Sequence, residues 1–295
     1  MALIANERFE MIDSPPPDAE TIGRGLLKMN PVLVRDWLVE FLRDELIRRR
    51  HFSQAVVGVS GGVDSAVTAY LCALALGPQN VTAVRMPYRS SSRESLQHAQ
   101  LVIDALGLPS RTIEITDAVD GYIKQFENEA DGRRRGNVMA RMRMIILFDQ
   151  SAKLDGLPVG TGNKSERLFG YFTWHADDSP PINPLGDLYK SQVWDLARLL
   201  GVPSVIVEKP ASADLIEGQT DEGDFGISYQ RADLILALLL RGYSRNRIIE
   251  MGVGVAEVDL VKSKLDKTHW KRHLPTTAML SNTSINDYYL RPVDY

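Results

Sequence analysis

Residues 55–65 read Ala55-Val56-Val57-Gly58-Val59-Ser60-Gly61-Gly62-Val63-Asp64-Ser65. A short apolar strand leads into a Ser-Gly-Gly turn, and an Ala- and Leu-rich helix follows to about Leu76. Adjacent glycines let the backbone take positive φ and approach an anion closely. The next N–H groups lie at a helix N-terminus, where the helix dipole favours negative charge. The pattern therefore predicts a phosphate-binding loop at the end of a buried strand.

The side chains of this loop point to a metal-bound polyphosphate. Ser60 and Ser65 add hydroxyl donors, and Asp64 places a carboxylate beside them. Because a carboxylate repels phosphate unless a cation lies between them, the loop implies a bound divalent metal. The alternative is an ordinary strand–turn–helix corner, with glycines for the turn and serine for the cap. The Asp and Ser that follow in register favour the phosphate-binding interpretation.

Composition limits the classes of protein that this chain can belong to. Its 295 residues suffice for one large domain with appendages, and 34 basic against 38 acidic residues give a net charge of −4. This balance argues against bulk nucleic-acid binding. The single cysteine, Cys72, lies in an apolar helix, so no disulfide framework is expected. Without an apolar N-terminal segment or a long apolar run, we expect a cytoplasmic protein that does not bind membranes.

Strands alternate with helices through the first half of the chain. Strands are predicted at 55–59, 81–86, 111–115 and near 157–160, with helices at 65–76, 92–106, 117–129 and 137–154. This alternation predicts an α/β fold, a Rossmann-like parallel sheet with helices on both faces. Ligands bind such sheets at the carboxyl ends of the strands. Ser60, Arg85 and Thr161 fall there.

The rest of the chain divides into a helical C-terminal part and two appendages. Helices are predicted at 188–200, 228–241, 244–250 and 255–268, and the acidic stretch Glu208–Gly226 is a candidate mobile loop. Residues 1–30 contain three consecutive prolines and indicate an extended arm. The expected organisation is thus an arm (1–30), one main domain (31–280) and a tail (281–295).

A second group of polar residues follows the last strand. The segment Gly160–Glu166 lacks the adjacent Gly-Lys-Ser/Thr of a Walker A loop. Glu166 lies in the first turn of the next helix, where it could meet Asp64 around magnesium or simply interact with the helix dipole. Asp187 is the predicted N-cap of the next helix, which places Lys190 in the first turn of that helix. Because a cation there opposes the dipole, Lys190 favours an anionic ligand.

Taken in order, these segments resemble the motifs of NAD synthetases, which belong to the ATP pyrophosphatase superfamily with its adenine nucleotide α-hydrolase-like fold. The resemblance covers about residues 30–280 and rests on Gly58–Ser65, Ala83–Pro87, Gly136–Arg143, Gly160–Glu166, Asn183–Lys190, Gly226–Tyr229 and Lys271–Pro275. The glutamine-dependent members of that family carry an additional amidase domain for which this chain has no room. The resemblance therefore implies the ammonia-dependent form, which amidates deamido-NAD through an acyl-adenylate and releases AMP and pyrophosphate.

The resemblance also implies roles for individual residues. Asp177 matches the acidic residue that binds and deprotonates ammonium, with Asp178 as its rival. In the family, the helix matching Asn137–Leu154 forms a homodimer interface. The implied ligand contacts are ATP at Gly58–Ser65, Arg85, Thr161, Lys190 and Ser212, Mg²⁺ at Asp64 and Glu166, and deamido-NAD at Arg141 and Lys271.

Three residues depart from the family pattern. Trp174 stands where many members have Lys, Pro181 where they have Asp, and Trp270 where they have His. All three belong to the side that binds deamido-NAD, whereas the ATP side is intact. The competing hypotheses are therefore an adenylating amide ligase with a different acyl substrate and a non-catalytic nucleotide-binding module.

Overall fold

The computed structural model describes residues 18–212, 220–273 and 275–280. Within them a parallel four-stranded sheet has the order β3-β2-β1-β4. The strands are β1 (Gln54–Gly58), β2 (Val81–Arg85), β3 (Ser110–Thr112) and β4 (Gly156–Val159). The predicted parallel sheet is confirmed, although β3 ends three residues before its predicted limit.

Helices connect the strands and form the C-terminal part. In the N-terminal part they are α1 (Ala19–Leu27), α2 (Pro31–Arg43), α3 (Val63–Leu76), α4 (Arg93–Leu106), α5 (Thr116–Phe126) and α6 (Gly132–Lys153). After β4 follow α7 (Lys164–Phe169), α8 (Lys190–Leu200), α9 (Ser204–Val207), α10 (Asp221–Phe225), α11 (Tyr229–Leu240), α12 (Arg245–Glu250) and α13 (Val255–Lys267). A π-helical turn (Asp44–Arg49) continues α2, and a 3₁₀ turn (His269–Arg272) follows α13.

Both faces of the sheet are covered, because successive side chains of a strand point to opposite faces. Ala55 and Val57 of β1 pack in one buried cluster with residues of α2, α3 and α8. Val56, between them, packs with Val84 of β2 and Leu147 of α6. β1 therefore reads as a continuous apolar run, which is typical of a central parallel strand.

A second hydrophobic core lies outside the sheet. It is built by α11, which is buried over most of its length, with side chains from α1, α7, α12 and α13. The sheet core and this helical core share Trp194 of α8 as a partly buried neighbour. Since α7 and α8 both carry residues of the site, the packing of the C-terminal helices fixes one wall of it.

The expected extended arm is wrong for the part of it that the structure describes. Residues 19–27 form α1, which Asp18 caps by accepting a hydrogen bond from the Thr21 N–H at 2.7 Å. A Cβ on Gly23 would lie 2.5 Å from Cγ of Leu234, so this glycine allows α1 to pack closely on α11. The part of the arm before Asp18 and the predicted tail, 281–295, lie outside the described residues.

Candidate active site

The Ser-Gly-Gly loop joins β1 to α3 in a shape that its glycines and serines impose together. Gly61 has φ of +87°, and a Cβ there would lie 2.1 Å from the carbonyl oxygen of Ser95 in α4. No other residue fits at Gly61 without moving the backbone. The Ser65 hydroxyl accepts from the Ser60 N–H at 3.2 Å and donates to the Gly62 carbonyl at 3.0 Å. These serines therefore hold the loop itself, which the sequence did not indicate.

Asp64, Glu166 and Lys190 converge beside this loop from three different helices. The Lys190 ammonium donates to Oδ2 of Asp64 at 2.5 Å and lies 3.7 Å from Oε1 of Glu166. Lys190 is only 2% exposed. The other oxygen of Asp64 accepts a hydrogen bond from the side-chain amide of Asn163 at 3.0 Å. Residues about 100 and 126 positions away along the chain thus complete the surroundings of Asp64.

Glu166 caps its own helix and also faces the Asp64–Lys190 pair, while its predicted role as a magnesium ligand stays a prediction. Asn163 caps α7 by accepting the Glu166 N–H at 2.9 Å, while Oε2 of Glu166 accepts the Asn163 N–H at 3.1 Å. This reciprocal capping box fixes the side chain at the helix start. The second oxygen, Oε1, is left facing Lys190, so the cap aims Glu166 at the Asp64–Lys190 pair.

Burial of two carboxylates around one cation perturbs their protonation. Burial, reinforced by the Asp64 charge and opposed by Lys190, raises the pKa of Glu166 to about 8. For Lys190, burial disfavours the charged form, but the Asp64 and Glu166 carboxylates outweigh it and raise the pKa above its ordinary value. The cluster therefore holds Lys190 as a cation and keeps a proton on Glu166 near neutral pH.

A cavity of about 800 Å³ opens over these residues at the carboxyl ends of β1, β2 and β4. The predicted ATP residues Arg85, Thr161 and Ser212 all line it, as does the Ser-Gly-Gly loop. Arg85 reaches it while its Nη1 donates to Gln100 at 2.5 Å. The ATP contacts stay predictions, but the fold places them around one space. The central part of the predicted mobile loop, residues 213–219, lies outside the described residues.

Asp177 and Asp178 are the two candidates for the base that deprotonates ammonium, and both lie in the wall of the same cavity. Oδ2 of Asp177 accepts the Thr173 N–H at 2.7 Å. Asp177 is exposed to solvent in the cavity, and partial desolvation by the surrounding protein raises the pKa of its carboxyl. Oδ1 of Asp178 is buried without a hydrogen-bond partner among the described residues. The geometry therefore brings both candidates to the site and leaves the choice between them to experiment.

The residues predicted to bind deamido-NAD lie outside this cavity. Arg141, exposed on α6, donates through Nη2 to the carbonyl of Trp174 at 3.0 Å. Lys271 donates to the carbonyls of Gly170, at 2.5 Å, and of Phe172. The fold thus brings the ATP and metal residues together but does not bring these two cations to them within one chain.

Two of the departures from the family pattern contact each other. The rings of Trp174 and Trp270 meet edge to face with their centroids 5.2 Å apart. Trp270 is 58% exposed, so the pair forms an aromatic surface beside Arg141. Pro181, the third departure, precedes Ile182, which extends the sheet by a parallel bridge to Val159.

Two acids and a tyrosine at the edge of the site had no role assigned to them from the sequence. Asp221, 4% exposed, accepts the hydroxyl of Tyr229 at 2.9 Å, and its burial raises the pKa of its carboxyl. The Tyr229 ring centroid lies 5.3 Å from Nζ of Lys190. Asp233, fully buried on α11, bonds to residues beside Glu166 and Lys190. A lone Asp inside the apolar run of α11 was the available signal.

The residues present suit a magnesium ion. Mg²⁺ is commonly held by one or two carboxylates together with substrate phosphates. Asp64 and Glu166 supply two carboxylates that already converge on one buried cation, beside a loop shaped for phosphate. Among the described residues no group of three or more His, Cys, Asp or Glu is arranged to hold a metal. The donor set therefore fits an ion that substrate phosphates complete.

The fold and the site define a nucleotide-binding α/β protein with a charged cluster at the first strand–helix turn. The sequence profile of NAD synthase matches residues 34–275, and the chain belongs to the NAD synthase family. Among curated relatives, it is 46% identical over 255 residues to the NH(3)-dependent NAD(+) synthetase of Fusobacterium nucleatum, covering 86% of this chain and 98% of that one. It is 47% identical over 253 residues to the Chlorobaculum parvum NH(3)-dependent NAD(+) synthetase, covering 85% and 90%.

Two solved structures show the same fold. The NMN synthetase from Francisella tularensis has a TM-score of 0.76 at 31% identity, covering 85% of this chain and 99% of that one. The NH3-dependent NAD synthetase from Campylobacter jejuni, solved with nitrate, has a TM-score of 0.73 at 30% identity, covering 85% and 100%. In the part of the chain that the structure describes, no helix is long and apolar enough to cross a membrane.

Proposed function

We propose that this protein amidates deamido-NAD with ammonia at the expense of ATP, releasing NAD, AMP and pyrophosphate. The observation that carries the proposal is the buried Asp64–Lys190–Glu166 cluster at the Ser-Gly-Gly loop. A sensor that only binds nucleotide has no need of a costly buried cation between two acids. Membership of the NAD synthase family and similarity to NH(3)-dependent relatives support the same reaction.

The chemistry begins with a carboxylate that ammonia does not attack. Attack of the carboxylate oxygen on the ATP α-phosphate forms an acyl-adenylate and expels pyrophosphate. The acyl group now carries AMP, which is a good leaving group. The loop N–H groups and Lys190 are placed to stabilise negative charge that grows on the phosphates. Asp64 and Glu166 would hold Mg²⁺, which when bound neutralises phosphate charge as a Lewis acid.

The second half-reaction needs ammonia rather than ammonium. We assign proton removal to Asp177, since a carboxylate of raised pKa that remains in contact with the cavity accepts a proton more readily near neutral pH. The freed nitrogen then attacks the acyl carbon, and AMP leaves with the electron pair of the broken acyl–oxygen bond. Asp178 is the internal alternative because its buried Oδ1 is unpartnered among the described residues.

The proposal includes a homodimer formed through α6. Ile145 and Phe148 of this helix are 61% and 41% exposed, whereas Leu147 between them is buried against the sheet. Apolar residues on more than one face suit a helix that packs on both its own chain and a partner. Arg141 on the same helix lies away from the ATP cavity of its own chain. Dimerisation through α6 would place it at a shared substrate site.

A second candidate substrate is the mononucleotide acid, deamido-NMN. It is favoured by the similarity to the Francisella tularensis NMN synthetase and by the Trp174–Trp270 pair on the substrate side. The dinucleotide remains the first candidate substrate, because the curated relatives with 45–47% identity are NAD(+) synthetases.

We also propose that residues 31–280 form the catalytic domain and that it acts in the cytoplasm, where buried Cys72 stays reduced.

Exchange of labelled pyrophosphate into ATP distinguishes these substrates, because it reports adenylation of the acid alone. We expect exchange to require deamido-NAD and to be at least about ten-fold slower with deamido-NMN at equal concentration. Faster exchange with deamido-NMN would transfer the assignment to the mononucleotide. Exchange with neither acid would contradict both substrates. The matched variant for this comparison is Trp174→Lys with Trp270→His, which restores the residues that many family members have at these positions.

A further inference from the structure

Asp233 is a buried carboxylate that the proposed chemistry does not use. It is fully buried on α11, within the apolar core of the C-terminal helices. Among the residues that the structure describes, no Lys, Arg or His forms an ion pair with it. Burial raises the pKa of Asp233 to about 6, so the carboxylate is largely ionised at neutral pH. A buried charge without an ion-pair partner is costly unless hydrogen bonds compensate it.

The hydrogen bonds of Asp233 connect the two helices that carry Glu166 and Lys190. Oδ1 accepts the hydroxyl of Ser165 at 2.5 Å, and Oδ2 accepts the backbone N–H of Ser191 at 2.9 Å. The Ser165 hydroxyl in turn accepts the backbone N–H of Lys190 at 3.0 Å. Ser165 precedes Glu166 in α7, and Ser191 follows Lys190 in α8. The carboxylate therefore clamps the first turns of both helices to α11.

The charge of Asp233 also answers an electrostatic problem in α8. The N-terminus of a helix repels a cation, yet Lys190 occupies the first turn of α8. A carboxylate that accepts the second N–H of that helix places negative charge where the dipole favours it. Asp233 therefore offsets the local positive potential that would otherwise disfavour a charged Lys190.

We propose that Asp233 is a positioning residue, which through Ser165 and Ser191 sets the placement of Lys190 against Glu166 for binding ATP phosphates. This inference rests on the proposed function only in that ATP is the ligand of Lys190. It does not depend on which acid is adenylated. Asp233 itself does not line the cavity, so it acts through its neighbours.

Calorimetric titration of ATP with Mg²⁺ into the whole protein tests the proposal. Asp233→Asn removes the charge, and Ser165→Ala removes the link to the Lys190 N–H. We expect each to raise the ATP dissociation constant about 10- to 100-fold, as is usual when support of a binding group is lost. Both substitutions act through one chain of hydrogen bonds. The ATP dissociation constant of the double variant should therefore be within about two-fold of that of the single variant that binds ATP more weakly.

The stability control is Leu236→Ala, which removes a fully buried side chain from the same helix without touching the network. It should lower the melting temperature yet leave the ATP dissociation constant unchanged. Should Asp233→Asn fail to fold, Ser165→Ala decides the question alone. Wild-type affinity in folded single variants, multiplying losses in the double variant, or an equal loss in Leu236→Ala would each overturn the proposal. Failure of the wild type to make NAD would refute the proposed function without altering these outcomes.

Discussion

Glu166 should make the protein less stable as the pH rises through neutrality. Its pKa is about 8 in the folded protein against an ordinary value of 4.5. Between these two values the folded state holds a proton that the unfolded state has released, so the free energy of unfolding falls as the pH increases. For one such group the fall between pH 6 and pH 8 is about 2 kcal/mol. The contribution is largest at acid pH and is lost above the folded-state pKa.

Urea denaturation at pH 6, 7 and 8 without metal or nucleotide measures this effect. A fall of about 2 kcal/mol moves the urea midpoint by roughly 1 M. Glu166→Gln is the matched control, because a glutamine side-chain oxygen can still accept the Asn163 N–H of the capping box. The difference between wild type and variant should therefore report the titration alone. Equal pH dependence in both proteins, or wild-type stability that rises from pH 6 to pH 8, would refute this account of the cluster.

Other predictions concern the metal, the nucleophile and the assembly. Asp64→Asn should abolish AMP formation while circular dichroism stays native, and normal turnover would remove Asp64 from the metal site. Asp177→Asn should retain pyrophosphate exchange but lose about 10²–10⁴-fold in NAD release, since general-base catalysis contributes that much. Asp178→Asn should be much milder, and the reverse order would make Asp178 the base. Light scattering of the wild type should give the mass of a dimer, and the double variant Ile145→Asp with Phe148→Asp should give the mass of a monomer. A wild type that is monomeric and fully active would contradict the proposed interface.

The sheet and its helices could be predicted because local patterns determine them. Apolar runs and turn residues mark β1, β2 and the helices between them, and those elements lie within a few residues of their predicted limits. In α1 the buried Ala19 and Gly23 and the partly buried Ile22 and Leu26 follow a helical period, a signal that was missed when residues 1–30 were interpreted as one extended arm. The close packing of α1 on Leu234, more than 200 residues away in the sequence, could not be predicted from this local pattern.

The site was predictable where chemistry is concentrated in one segment and not where it depends on distant partners. Asp64, Glu166 and Lys190 were singled out by their positions at strand and helix ends, and the fold brings them into contact. The contact of Asn163 with Asp64 arises only when α7 packs beside α3, and the role of Asp233 emerges only when α7, α8 and α11 are packed together. Arg141 and Lys271 were expected at the substrate from the resemblance, yet in this chain they bind backbone carbonyls.

The most direct test of the central claim is the stoichiometry of the complete reaction. Wild-type protein is incubated with ATP, Mg²⁺, ammonium and deamido-NAD, and AMP, pyrophosphate and NAD are quantified together. The proposed mechanism predicts equal amounts of all three products, and no AMP when deamido-NAD is omitted. AMP formed without NAD, or ADP in place of AMP, would contradict an acyl-adenylate route to NAD at this site.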